Sequence, residues 1–146
     1  MSVDLHRAVQ HVLADKHLGT PVFVRYLLTT QEKPGAILPH LARIAGTIRS
    51  WLGQPLERVY ALGQVKTGQV TLTMEFRGGS TGLLGWWSGP QGIDLLVLGN
   101  RGAIYHESET SPARRAGPTS EEKPDAALLA LIQRALASGR PEVASQ

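Results

Sequence analysis

The stretch from Glu57 to Tyr105 reads as a succession of short strand patterns separated only by turns, and no part of it has helical periodicity. Residues 69–76 (QVTLTMEF) alternate cleanly, with Val70, Leu72, Met74 and Phe76 on one face and Thr71, Thr73 and Glu75 on the other. Arg58–Val65 precedes it, with a turn at Lys66-Thr67-Gly68. Gly78-Gly79 leads into Thr81–Ser88, then come Asp94–Leu98, the turn Gly99-Asn100-Arg101-Gly102, and Ala103–His106. Consecutive strands joined this closely predict an antiparallel meander.

Helical patterns flank that stretch. Leu5, Ala8, Val9, Val12 and Leu13 recur at helical spacing, so residues 2–17 are expected to form a helix, capped by Ser2 and stopped near Gly19. The segment Val22–Thr29, dense in β-branched and aromatic residues, follows as a first strand. After a turn at Gln31–Gly35, a second helix is expected over about 37–52, with its apolar stripe on Leu41, Ile44, Ala45, Ile48, Trp51 and Leu52. Pro39 suits only a first turn. A third helix is expected over 125–138, ending at Gly139. Residues 107–124, polar and Pro-rich, read as a mobile loop, and 141–146 as a frayed tail. Helices at the ends with strands between them predict an α+β domain: an open, mostly antiparallel sheet of about six strands with helices on one face. The other face is then left for solvent or for a partner.

One domain accounts for 146 residues. The absence of cysteine removes disulfides, thiolate metal sites and cysteine nucleophiles together. Eleven of the fifteen basic residues are Arg, but they are scattered, without the basic stripe and interleaved aromatics of a nucleic-acid binder. No apolar run is long enough to span a membrane, and residues 1–7 lack the apolar core of a signal peptide, so a cytoplasmic protein is expected. His6, His11 and His17 share a helix at spacings that put no two on one face as metal ligands. Ser80 sits between strands and lacks the setting of a nucleophile elbow. Trp86 and Trp87 are adjacent on a strand, so one indole faces the helices and the other the open face, where it would stack on a sugar ring or anchor a subunit interface. Arg25 and Tyr26 divide between the faces in the same way, with Arg25 expected to meet a ligand or partner.

The words Leu18–Arg25, Leu38–His40, Trp51–Pro55, Val59–Ala61, Gly79–Gly82, Asp94–Ala103 and Leu131–Pro141, in that order, together resemble the C-terminal domain of the Gfo/Idh/MocA oxidoreductases. Leu18-Gly19-Thr20-Pro21-Val22-Phe23-Val24-Arg25 is similar to that family's entry into the first strand of its second domain. Leu38-Pro39-His40, leading to Trp51-Leu52-Gly53-Gln54-Pro55 and Val59-Tyr60-Ala61, resembles its histidine-bearing helix. Gly79-Ser80-Thr81-Gly82 with Asp94–Ala103, and then Leu131–Pro141, continue the likeness in order.

The resemblance implies a substrate-binding and oligomerising domain whose dinucleotide is bound by a separate Rossmann domain. No G-x-G-x-x-G occurs here, so no cofactor is expected on this chain, and NAD(P) only with a Rossmann-domain partner. The resemblance maps His40 onto the family's proton-transferring histidine. The family's acids four residues before and three after that position are replaced by Ala36 and Arg43, so a helix-start histidine bonded to backbone stands as the other reading. Glu-Lys-Pro, the family's catalytic-lysine word, occurs at 32–34 and 122–124, both out of place and both read as turns. Three functions follow: a dimerising, sugar-binding module without catalysis of its own; the substrate half of a split NAD(P)-dependent oxidoreductase; or a small-molecule sensor or carrier. The expected partners are a second copy through the open sheet face, a Rossmann-domain protein and a sugar-like molecule, with no nucleic acid and no membrane.

Overall fold

A computed structural model describes residues 2–107 and 124–144, with side chains from Leu5 onward. In chain order the elements are α1 (Ser2–Ala14), β1 (Pro21–Thr30), α2 (Pro34–Leu52), β2 (Leu56–Gln64), β3 (Gln69–Phe76), β4 (Thr81–Ser88), β5 (Gly92–Gly99), β6 (Ala103–Glu107), α3 (Ala126–Ser138) and β7 (Glu142–Val143). The fold is α+β, with seven strands in one sheet ordered β6-β5-β1-β4-β3-β2-β7.

The helices start and stop for local reasons. α1 ends at Ala14, earlier than its periodicity suggests, because Lys16 and then Gly19 take left-handed backbone angles (φ 60° and 71°). α2 begins at Pro34, whose missing N–H costs nothing at a first helical position. It then carries Pro39 in its second turn rather than its first, where Gly35 supplies the carbonyl four residues back and has no side chain to crowd the ring. Asp125 caps α3 by accepting from Ala127 N at 2.9 Å and Leu128 N at 3.3 Å, while its carboxylate also takes Arg49 Nη2 at 3.0 Å.

The meander holds for β2, β3 and β4 and breaks after that. β1 lies between β4 and β5, parallel to the first and antiparallel to the second. The three residues joining β4 to β5 cross over the end of β1, where Gly89 N donates to Thr30 O at 3.3 Å. β5 and β6 close as a hairpin. At the opposite edge Glu142 and Val143, expected in a frayed tail, pair with Val59 and Arg58. The expected mobile loop lies outside the described residues except at its two ends: Glu107 belongs to β6, and Pro124 precedes the Asp125 cap.

Alternation sorts the sheet into two faces. Val24, Tyr26, Leu28, Leu72, Met74, Leu84, Trp86, Leu95 and Val97 are buried on the inner face, under Ile37, Leu41, Ile44, Ile48 and Trp51 of α2 and Leu128, Leu131 and Ile132 of α3. α1 adds Val9, packed against the same core. Among the described residues no helix packs on the outer face. On it Phe23, Leu27, Leu83 and Leu96 are half-buried among Arg25, Thr71, Thr73, Glu75 and Asp94, with Trp87 40% exposed.

Candidate functional site

The residues singled out in the sequence divide between the two faces. Trp87 and Arg25 stand on the open face. Trp86 and Tyr26, proposed from sequence as interface or ligand contacts, are 3% and 1% exposed and belong to the core. Each has the opposite parity to its neighbour on a strand with one covered face, so neither can join the open surface.

On that surface Arg25 Nη2 donates to Asp94 Oδ1 at 3.3 Å. Tyr105 on the next strand lies 3.1 Å from Asp94 Oδ2 and 2.9 Å from Glu107 Oε2 through its hydroxyl. Those two carboxylates, Glu107 first, raise the phenol to about 12, since each disfavours a phenolate beside it. Across the sheet Arg58 pairs with Glu75 at 3.2 Å. Trp87 folds onto the bare backbone of Gly85 beside Leu27.

A second cluster lies under the helices, where β1 ends and α2 begins. His40 is on α2 at the edge of its apolar stripe. Its Nδ1 is 2.5 Å from Glu32 Oε1, and the two side chains are each 17% exposed. Thr30 Oγ1 donates to the same oxygen at 3.4 Å. The carboxylate that Ala36 and Arg43 fail to supply thus comes from the loop. Sequence reasoning missed it because Glu32-Lys33-Pro34 has the composition of a turn. The parity of the strand held a clue, since Glu32 follows inward-facing Thr30 by two residues. A third group is close: His6 of α1 is hydrogen-bonded through Nε2 to the Tyr26 hydroxyl at 2.8 Å and packs edge-on against Trp51 with ring centroids 5.4 Å apart. Burial, and then the charge of His40, lower its pKa to about 4, so it is neutral near pH 7. Burial pushes the Tyr26 phenol up, which keeps it a hydroxyl.

Among the described residues no group of three His, Asp or Glu could hold a metal ion. A dinucleotide pyrophosphate does not fit the one turn that, among the described residues, leads from a strand directly into a helix. That turn, Gln31-Glu32-Lys33-Pro34, offers a carboxylate and a proline where such a site needs glycine and free backbone N–H groups. No described helix is long and apolar enough to cross a membrane.

Solved structures resemble this arrangement. A myo-inositol dehydrogenase from Corynebacterium glutamicum superposes with a TM-score of 0.69 at 11% identity, covering 97% of this chain and 61% of that one. The WlbA dehydrogenase from Bordetella pertussis, in complex with NADH and UDP-GlcNAcA, gives 0.65 at 16% identity, covering 96% and 59%. This is the fold of the Gfo/Idh/MocA C-terminal domain. An apo scyllo-inositol dehydrogenase from Lactobacillus casei gives 0.57 at 12% identity, covering 70% of this chain and 36% of its own. The chain therefore spans between about a third and three-fifths of the dehydrogenases that share this fold. No protein-family model matches the chain, and no curated protein matches it.

Proposed function

We propose that this chain is a ligand-contacting and subunit-association domain of the Gfo/Idh/MocA type, without hydride chemistry of its own. In this reading it dimerises by packing open sheet faces. The observation that carries the reading is a sheet face left uncovered among the described residues: Leu27, Leu83, Leu96 and the Trp87 indole are interleaved there with the Arg25–Asp94 pair, and the Arg58–Glu75 pair stands toward the β2 edge. Aromatic and aliphatic surface that includes arginine has the composition enriched at protein interfaces. Seven strands at ordinary spacing make a face about 29 Å wide, and eight-residue strands make it about 26 Å long. That is on the order of 750 Å², close to the roughly 800 Å² per partner of a standard interface.

Light scattering at micromolar concentration tests this. Twice the 15.8 kDa chain mass is expected, reduced to the monomer by Trp87→Glu. A monomeric wild type overturns the dimer.

The Glu32–His40 pair favours a second, compatible reading. A part-exposed histidine backed by a carboxylate suits the hydroxyl of a polyol, and the solved structures of this fold include inositol dehydrogenases. Any hydride transfer would then use a dinucleotide held on a separate Rossmann domain. A sensor or carrier would need only the polyol contact. Titration with myo-inositol, followed on the His40 resonances, is expected to perturb them, and unperturbed resonances would remove the polyol reading.

A further inference from the structure

β1 ends on Thr30, whose side chain faces the helices and is buried. Alternation carries Glu32, two residues on, to the same side, and α2 starts immediately afterwards at Pro34 and runs back along the sheet. The Glu32 carboxylate meets the second turn of that helix at His40 Nδ1, at 2.5 Å, with Thr30 Oγ1 donating to the same oxygen. α2 offers His40 no carboxylate from the turns on either side, where Ala36 and Arg43 stand.

An ionised carboxylate only accepts hydrogen bonds, so the proton in this contact belongs to Nδ1. Neutral His40 is then the Nδ1–H tautomer, with its lone pair on Nε2. Without Glu32 the proton could sit on either nitrogen. Nε2 has no hydrogen-bond partner among the described residues. His6, the histidine whose titration senses His40, is neutral above about pH 4 and brings no competing charge near pH 7.

We propose that Glu32 is the positioning residue of His40: it holds the imidazole as the Nδ1–H tautomer and leaves Nε2 as the atom that accepts a hydrogen bond from a ligand hydroxyl. The ligand half rests on the polyol reading above, and the tautomer half does not. A carboxylate delivered by the loop, rather than by the helix that carries the histidine, also ties the geometry of His40 to the β1–α2 connection. Changes in that connection will therefore reach the imidazole without touching it.

Nitrogen-15 NMR of the full chain at pH 8, with His40 assigned by its loss in His40→Gln, reads the tautomer directly. Wild type is expected to show a protonated Nδ1 and a bare Nε2. Glu32→Ala is expected to move the tautomer ratio about tenfold toward Nε2–H, the scale of one charge-assisted hydrogen bond. Glu32→Gln, which keeps the shape and removes the charge, is expected to move it the same way by a smaller factor. A wild-type His40 protonated on Nε2 overturns the proposal before any Glu32 variant is made. An unchanged ratio in a folded Glu32 variant overturns it as well. An Nδ1–H imidazole that ignores myo-inositol overturns the ligand half and the polyol reading while supporting the tautomer half.

Discussion

The Trp87 indole lies across Gly85, so close that a Cβ on the glycine would stand 2.7 Å from both Cη2 and Cζ3 and 3.1 Å from a methyl of Leu27. The largest side chain of the open face is therefore folded down against the sheet by a residue with no side chain. Flat aromatic surface presented this way suits a partner sheet better than an upright indole would.

Gly85→Ala is accordingly expected to lift Trp87 off the sheet while leaving the fold intact, because the displaced atoms are the far end of a side chain that can rotate. Trp87 fluorescence should shift toward that of a solvated indole, and under the proposed face-to-face packing self-association should weaken as well. An unchanged emission spectrum would show that the glycine does not hold the ring.

Trp86 and Trp87 should respond oppositely to truncation. Trp86→Ala removes a buried indole from beneath the helices and is expected to cost about 3–5 kcal/mol in urea unfolding. Trp87→Ala, at 40% exposure, is expected to cost well under half of that in the monomer and to weaken association instead. Similar losses of monomer stability would contradict the partition of the two rings.

Gly82 lets α2 sit down on β4. A Cβ there would be 2.9 Å from Ile48 Cγ2 and 3.2 Å from Met74 Cε. Gly82→Ala is expected to destabilise by about 1–3 kcal/mol, the usual cost of overpacking a core. Because α2 carries His40, the His40 resonances should move as well. Thermal unfolding and a proton–nitrogen spectrum check both.

His6 is expected to make stability fall in mild acid. Its pKa is about 4 when folded, against an ordinary value of 6.5, so the unfolded chain takes up a proton that the folded chain refuses. The full contribution is present above pH 6.5 and declines as pH drops toward 4. After discounting for partial exposure it is on the order of 2 kcal/mol. Urea midpoints at pH 7 and 4.5, compared with those of His6→Gln, isolate it. Equal pH dependence in the two proteins would remove His6 as the cause.

Asp125→Ala should cost about 1 kcal/mol, within the range for losing an N-cap, since it leaves Ala127 N and Leu128 N without their acceptor. Arg49 also holds the Asp125 carboxyl below its usual pKa. Asp125→Asn, which keeps a capping oxygen and drops the charge, should recover most of the loss. Chemical denaturation of the pair decides whether the cap or the ion pair matters more.

Periodicity along the chain determined which face each residue takes. The period of two separated Trp86 from Trp87 and Arg25 from Tyr26, and it bounded β3 and β4 correctly. The helical period picked out the stripe of α2 from Leu41 to Leu52. These are local facts, since backbone geometry enforces parity and stripe whatever the rest of the chain does. Burial of β1, β3 and β5 on one side alone decided which parity was inner.

The insertion of β1 between β4 and β5 was not legible, because pairing partners far apart in sequence are selected by the packing of the whole sheet rather than by the turn beside them. β7 was missed for the same reason: two residues form a strand only because the edge of β2 is there to pair with them. The Glu32–His40 contact needed both levels. His40 stood out through its resemblance to a known helix, but Glu32 read as part of a turn until β1, its final inward residue and the returning α2 brought carboxylate and imidazole together.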